Sequence, residues 1–280
     1  MITYPNCKIN LGLHVVGKRP DGYHDLETIF LPVMDMCDEL EIVEVESGKW
    51  KAESVMVQDG IVLDNTPDDN LCMKAWRLLH EEFGIPTVSI RLKKNIPFGA
   101  GLGGGSSDAA FTLKMLNEIF SLGLDYSALE QRAAKLGADC AFFIRNCAAY
   151  ATGIGDRLEP LEWKVTPRRG TEHLGKEKQC SEESGKLKVV IEIPDGEHVS
   201  TKEAYLGLNR DLFGALRPDL RKAVKQPIEE WRNLIVNDFE ASVFPAHPAI
   251  AELKDDMYRR GALYSSMTGS GAAVFGIFPK

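Results

Sequence analysis

Ile96-Pro97-Phe98-Gly99-Ala100-Gly101-Leu102-Gly103-Gly104-Gly105-Ser106-Ser107-Asp108 is the stretch on which the reading of this sequence turns. Five of the seven residues from Gly99 to Gly105 are glycine. So many glycines cost conformational entropy on folding, and a chain keeps them where the backbone bends sharply or meets a ligand closely. Ala109, Ala110, Phe111, Leu113, Met115, Leu116, Ile119 and Phe120 follow at helical spacing. A helix start offers unpaired N–H groups and a positive dipole end, so loop and helix together read as an anion cradle, most simply for nucleotide phosphates. The plainer alternative is a glycine turn joining a strand to a helix.

The totals bound what else is possible. The 280 residues suffice for one large domain or two moderate ones. Net charge is −8, from 33 basic and 41 acidic residues, which argues against nucleic acid or a membrane surface as partner. Any phosphate must therefore be held by local groups. There is no apolar leader at Met1–Lys8 and no run approaching the ~18 apolar residues of a span, so a cytoplasmic protein is expected. The six cysteines are scattered with no CxxC pair, which argues against a zinc site and for reduced thiols.

Outward from the loop, Cys7 to Val16 alternates apolar residues with Lys8, Asn10, Gly12 and His14, the pattern of a strand with one buried face. Pro20-Asp21-Gly22 is a turn with Tyr23 and His24 at its exit. Strands are expected at Thr28–Val33, Glu39–Val45 and Thr87–Leu92, with a polar hairpin region up to Asp64. A helix capped by Asp68-Asp69-Asn70 runs through Phe83 and stops at Gly84. Ser127 to Glu130 fits a capping box for a helix closed by Gly137. Asp139 then stands before an apolar run, Cys140 to Ile144, read as a strand; a carboxylate there needs a partner or a task. Ala148–Thr152 and Lys188–Ile193 are further strands. Trp163 to Leu187 is a charged insertion without apolar periodicity, read as flexible, and marks a domain boundary. Helices are expected from Ser200 or Thr201 through Tyr205, and at Leu216–Val224, Glu229–Phe239 and Pro248–Arg260. The chain ends in strands Ala262–Met267 and Ala272–Phe278, around the loop Thr268-Gly269-Ser270-Gly271.

Three phosphate loops compete. A Walker A loop requires lysine where Gly105 stands. The dinucleotide pattern G-x-G-x-x-G is matched by Gly99 to Gly104, but Pro97 precedes it and no strand ends in an acid about 20 residues on. The third, P-x-x-x-G-L-G-[GS]-G-S-S, is matched from Pro97 to Ser107 and resembles the central motif of the GHMP kinases, the superfamily of galactokinase, homoserine kinase, mevalonate kinase and phosphomevalonate kinase. Lys8-Ile9-Asn10-Leu11 and Met267 to Phe275 resemble the superfamily's first and last motifs, in the right order. With Arg19 to His24 and Leu136 to Asp139, the match is closer to one branch, whose acceptor carries a cytosine base. The insertion is longer than that branch's, and Asp108 stands where asparagine is common.

The resemblance implies an α+β fold of two domains, residues 1–160 binding ATP and 161–280 forming the C-terminal domain, with the active site in the interdomain cleft. It implies Asp139 as the base that takes the acceptor's hydroxyl proton and Lys8 as the cation that holds that carboxylate and stabilises developing charge. The backbone from Pro97, Phe98, Gly99, Ala100, Gly101, Leu102, Gly103, Gly104 and Gly105 to Ser106 and Ser107 would hold ATP, with Lys94 and Asn70 near the nucleotide. Mg²⁺ would be held mainly through the phosphates, with Ser107 beside it and no dedicated metal site. Tyr23, His24 and Tyr205 would frame the cytosine; Asn10, Thr201, Gly269, Ser270 and Gly271 would line the rest of the acceptor. The partner expected is a small molecule, for a monomer or weak homodimer. Homoserine or mevalonate kinase activity, a silent nucleotide-binding regulator on the same fold, and a dinucleotide-dependent oxidoreductase are the alternatives.

Overall fold

A computed structural model of the chain describes residues 1–45, 55–61, 69–162, 187–208, 213 and 217–280. Almost all of the charged insertion at Trp163–Leu187, and most of the polar region before Asp64, lie outside the described residues. The chain forms two compact units, each assembled from separate segments: residues 1–7, 36–98 and 103–146, and residues 8–35, 99–102 and 147–280.

The first unit is a sheet of order β1 (Ile2–Thr3), β4 (Glu39–Glu44), β6 (Val88–Lys94), β5 (Val55–Gly60), covered by helices. β5 and β6 run parallel, the other pairs antiparallel. The region read as a hairpin thus contributes a parallel strand. Leu40, Ile42, Ile90 and Leu92 are fully or almost fully buried, in register as Leu40↔Leu92 and Ile42↔Ile90. Helix α1 (Leu71–Phe83) starts where expected: Asn70 caps it by accepting from the Cys72 N–H at 2.9 Å, and Gly84 ends it. α2 (Gly104–Ile119) begins inside the glycine loop, capped by Gly103 with no side-chain bond. α3 (Tyr126–Leu136) is capped by Asp125, which accepts from the Ala128 N–H at 2.7 Å, rather than by Ser127. Asp125 precedes Ser127 and supplies the charged oxygen, so the helix starts two residues earlier than the capping box places it.

The run Cys140 to Ile144 is not a strand but a short helix, α4 (Cys140–Arg145). A short apolar run carries no period that separates a buried strand from a buried helix turn. Here Cys140 N–H returns to the Gly137 carbonyl at 3.1 Å, and the run from Cys140 to Ile144 is buried.

The second unit holds a sheet of order β2 (Asn6–Lys18), β3 (His24–Cys37), β7 (Ala149–Thr152), β8 (Arg157–Pro160), and a sheet of order β10 (Tyr264–Met267), β11 (Val274–Pro279), β9 (Leu187–Glu192). β2 departs from the half-wet strand its alternation implies: every residue from Asn6 to Val15 is buried, Lys8, Asn10 and His14 included. The polar face therefore has to be paired inside the protein. Gly12 sits in this strand at φ +72°, and a Cβ there would lie 2.7 Å from Leu220 Cδ2.

The helix expected at Leu216–Val224 is only α6 (Leu220–Ala223), and α5 (Thr201–Leu206) is capped by Ser200. The helix expected at Glu229–Phe239 is broken into a 3₁₀ turn (Ile228–Glu230), α7 (Trp231–Leu234) and α8 (Asp238–Val243). Asn237 causes the break, bridging to Leu13 through its backbone while its side chain accepts from the Phe239 N–H at 3.0 Å as cap of α8. α9 (Pro248–Arg259) carries Pro248 in its first turn and Gly261 beyond its end, as read. The apolar core of this unit includes Leu13, Val15, Phe239, Ile250, Met257 and Val274. Cys7, Cys37, Cys72 and Cys140 are thiols.

Candidate active site

In the first unit the site is built around the start of α2. Ser107 N–H bonds the Gly103 carbonyl at 2.9 Å, and Gly103 has no side chain with which to cap the N–H groups ahead of it. These are the unpaired donors an anion uses. The Ser107 hydroxyl is fully buried with no hydrogen-bond partner, an arrangement that costs free energy until a ligand supplies one. Beneath the helix start, a Cβ on Gly104 would approach Ile96 Cγ2 to 2.9 Å and Lys94 Nζ to 3.3 Å.

Lys94 is itself buried between two carboxylates. Its ammonium donates to Asp108 Oδ2 at 2.7 Å and to Asp38 Oδ2, while Asp38 Oδ1 accepts from the N–H groups of Asn95 (2.6 Å) and Ile96 (2.9 Å). Burial opposes the Lys94 charge, but Asp108 and Asp38 outweigh it and raise its pKa. Asp108 is pushed up to about 7, first by burial and further by Asp38, against the pull of Lys94. Its second oxygen, Oδ1, has no partner. Lys94, expected near the nucleotide, thus holds the base of the loop, and Asp108 is the third member of a buried ionic cluster.

Asp139 is in the same unit. It is the N-cap residue of α4, yet its carboxylate makes no capping bond. Ser106 and Cys140 both lie against Gly137: a Cβ there would lie 3.2 Å from Cys140 Sγ and 4.0 Å from Ser106 Oγ. The glycine loop and the residue after Asp139 are therefore neighbours. Burial pushes the Cys140 thiol up to about 11, so it stays protonated and packs. Asn70 is buried and used as a cap, and Phe98 is two-thirds exposed beside Pro97.

The second unit gathers the rest. Lys8 Nζ donates to Asn10 Oδ1 at 2.6 Å and to the Gly101 carbonyl at 3.0 Å, and lies 5.0 Å from the Phe30 ring centre. Asn10 in turn donates from Nδ2 to Thr28 Oγ1 at 3.0 Å, and its N–H reaches Thr268 Oγ1 at 2.9 Å. The polar face of β2 is thus a chain of bonds that fixes the lysine. Gly101, at φ +77°, packs on the second glycine loop: a Cβ there would lie 2.3 Å from the Thr268 carbonyl oxygen. Ala273 N–H reaches the Ala100 carbonyl at 3.3 Å, so Gly99–Leu102 and the loop containing Gly269, Ser270 and Gly271 form one layer. Thr201 Oγ1 lies 3.3 Å from Ser270 Oγ.

His24 stacks on Tyr205 with ring centres 4.5 Å apart at 23°, and Tyr205 meets Phe239 edge-on at 4.8 Å. Tyr23 is exposed on the preceding turn, its N–H bonded to Asp21 Oδ1 at 3.1 Å. All eight residues expected to bind the acceptor lie in this unit; Lys8 lies with them and Asp139 in the other.

Several contributors escape the sequence reading. Asp38 gives no signal beyond an acid between two strands. Asn237 donates to the carbonyls of Met267 (2.8 Å) and Gly269 (2.9 Å), and Asp238 accepts from the Val15 N–H at 2.8 Å. Glu240 accepts from the Ser266 hydroxyl and the Met267 N–H, both at 2.9 Å. Their signal is Asn237-Asp238 interrupting the apolar run from Leu234 to Phe239.

Comparison with known proteins follows these features. Residues 70–146 match the GHMP kinases N terminal domain and residues 216–280 the GHMP kinases C terminal model. A 4-diphosphocytidyl-2-C-methyl-D-erythritol kinase of Bacteroides thetaiotaomicron is 45% identical over 280 residues, covering 99% of this chain and 92% of the relative. One from Azobacteroides pseudotrichonymphae is 43% identical, covering 100% and 94%. A crystal structure of 4-(cytidine 5'-diphospho)-2C-methyl-D-erythritol kinase superposes with TM-score 0.76 at 31% identity, covering 99% of this chain and 89% of that one. The mevalonate kinase of Methanococcus jannaschii shares the fold, with TM-score 0.68 at 13% identity over 99% of this chain and 90% of that one.

Proposed function

The chain belongs to the GHMP kinases, and on that premise we propose how its residues carry the reaction. It phosphorylates 4-diphosphocytidyl-2-C-methyl-D-erythritol with ATP, a step of the non-mevalonate route to isoprenoid precursors. The hydroxyl attacked is the 2-hydroxyl of the methylerythritol. Asp139 accepts its proton, and Lys8 stabilises the negative charge that develops on transfer. Phosphoryl transfer asks the protein for positioning and charge stabilisation more than for covalent chemistry.

ATP supplies the phosphoryl group and Mg²⁺ neutralises its charge. The residues fit them: the uncapped N–H groups at the start of α2 suit phosphate oxygens, and the partnerless Ser107 hydroxyl suits either a phosphate or the cation. His24, Tyr205 and Tyr23 take the cytosine, and Asn10, Thr201 and the Gly269–Gly271 loop the remainder of the acceptor. The enzyme works in the cytoplasm as a monomer or weak homodimer. Among the described residues no helix is long and apolar enough to cross a membrane.

One observation supports the choice of base above the others. Ser106 Oγ and Cys140 Sγ both lie against Gly137, which sets the phosphate loop beside the residue next to Asp139, a carboxylate not spent on capping its own helix. ADP release is the test, measured with the cytidylated methylerythritol, homoserine and mevalonate in parallel. Turnover is expected with the first alone. Asp139→Asn and Lys8→Met should each lose about 10²–10⁴-fold in kcat while nucleotide still binds. Near-normal turnover by Asp139→Asn sinks the assignment.

A further inference from the structure

Lys114 is a partly buried cation that the reaction as described does not use. It lies on α2, and its Nζ reaches the carbonyl oxygens of Phe143 at 3.2 Å and Ile144 at 3.5 Å, in the last turn of α4. The neighbouring carbonyl, Phe142 O, is taken by the Asn146 N–H at 2.9 Å. Lys114 thus supplies the donors that the end of α4 lacks, and its charge faces the negative end of the helix dipole. The Phe111 ring, one turn back on α2, lies 3.8 Å from Nζ and closes the pocket. α4 starts at Asp139 and α2 starts in the phosphate loop, so this contact pins the far end of the helix whose near end presents the base.

We infer that Lys114 is a positioning residue for phosphoryl transfer, locking the helix that presents Asp139 to the helix that carries the phosphate loop. The inference rests on the reading of Asp139 as the base. The device matters because α4 has only six residues, too few to be held by its own hydrogen bonds. At the near end Cys140 Sγ packs beside Ser106 Oγ around Gly137; at the far end Lys114 holds it. With both in place the base and the loop move as one body.

The ammonium is poised to report on this role. Burial pushes its pKa down to about 8, with no charged neighbour contributing. Glu118 follows one turn later on the same helix, Arg145 on α4 pairs with Glu130 of α3 at 2.6 Å, and Arg132 of α3 pairs with Glu82 of α1. Deprotonated lysine no longer complements the helix end, so kcat should fall as pH rises through about 8.

The experiment is steady-state kinetics on the intact chain with Lys114→Met, Lys114→Arg and Asp139→Asn. Lys114→Met should lower kcat by about 10–100-fold, the cost of moving a reacting group by about 1 Å, with the ATP KM changed less than about threefold. Lys114→Arg should restore most of kcat and abolish the alkaline fall, since guanidinium keeps its proton. Wild-type kcat in Lys114→Met overturns the inference, as does a loss shared equally between kcat and the ATP KM. If Lys114→Met does not fold, the alkaline limb of Lys114→Arg decides, and an unchanged limb overturns it. An active Asp139→Asn would instead overturn the reading of the base, whatever Lys114 does.

Discussion

Asp108→Asn tests the ionic cluster beneath the phosphate loop. The carboxyl is pushed up to about 7 from an ordinary value of 3.8, chiefly because it is buried beside a single ammonium shared with Asp38. The sign follows from linkage. Between 3.8 and about 7 the folded chain keeps a proton that the unfolded chain has released, so stability falls as pH rises. From about pH 5 upward that loss accumulates at up to about 1.4 kcal/mol per unit, reaching a few kcal/mol, and it stops rising once the carboxyl has ionised. Asparagine does not titrate and escapes the loss. It also sets an amide nitrogen or oxygen where Oδ1 now has no partner, a fixed cost of about 1–3 kcal/mol at every pH. The variant should therefore be no more stable than wild type near pH 5. Near pH 8.5 the difference between them should have moved a few kcal/mol in its favour. Urea unfolding at both pH values, followed by far-UV circular dichroism, measures this directly. Wild type and variant losing stability in parallel would show that Asp108 is ionised throughout and refute the reasoning.

Gly101→Ala places a Cβ 2.3 Å from the Thr268 carbonyl oxygen at a positive φ. It should cost about 3 kcal/mol or more, and a melting temperature within about 2 °C of wild type would contradict the packing of the two glycine loops. Tyr205→Leu removes the face on which His24 stacks. It should raise the KM of the cytidylated acceptor roughly fivefold to tenfold and leave the ATP KM unchanged; an equal rise in both would remove Tyr205 from the acceptor site. His247 is held between Glu197 at 2.5 Å and Glu203 at 3.3 Å, and the Glu197 hydrogen bond leads in raising its pKa above 6.5. Its stabilising contribution is complete below 6.5 and is lost as pH rises through the raised value. His247→Gln should therefore melt earlier than wild type on the acid side only; a deficit that persists into alkaline buffer would show that charge is not involved.

The sequence was most legible where one residue type has one physical use. Pro248 and Gly261 bracket α9, Asn70 and Gly84 bracket α1, and the glycine loop opens α2, because caps and turns are decided within a few residues. It was least legible where tertiary contacts choose between local options. Cys140 to Ile144 is apolar at every position and becomes a helix only because α2 and α3 leave it a helical slot. The run from Glu229 to Phe239 has helical composition, yet Asn237 finds three better partners than a helix interior offers: the carbonyls of Met267 and Gly269 and the N–H of Phe239.

The same distinction separates the parts of the site. A motif announces backbone geometry, which is local; it does not announce what holds a side chain in place, which is not. Lys8 stands in a recognisable strand, but its ammonium is fixed by a carbonyl from the glycine loop, 93 residues away. Lys94 stands one turn ahead of the same loop, and the carboxylate that anchors it is Asp38, 56 residues back. Asp38 could not be picked out because an acid between two strands is ordinary on a surface; only its complete burial makes it a structural charge. Lysine beside a phosphate loop suggests a phosphate ligand, yet an ammonium already shared by two buried carboxylates has little charge left to offer an anion. On the proposed reading, anion binding in this half of the loop falls to the backbone N–H groups at the start of α2, which no side-chain pattern encodes and which the run of glycines alone leaves open.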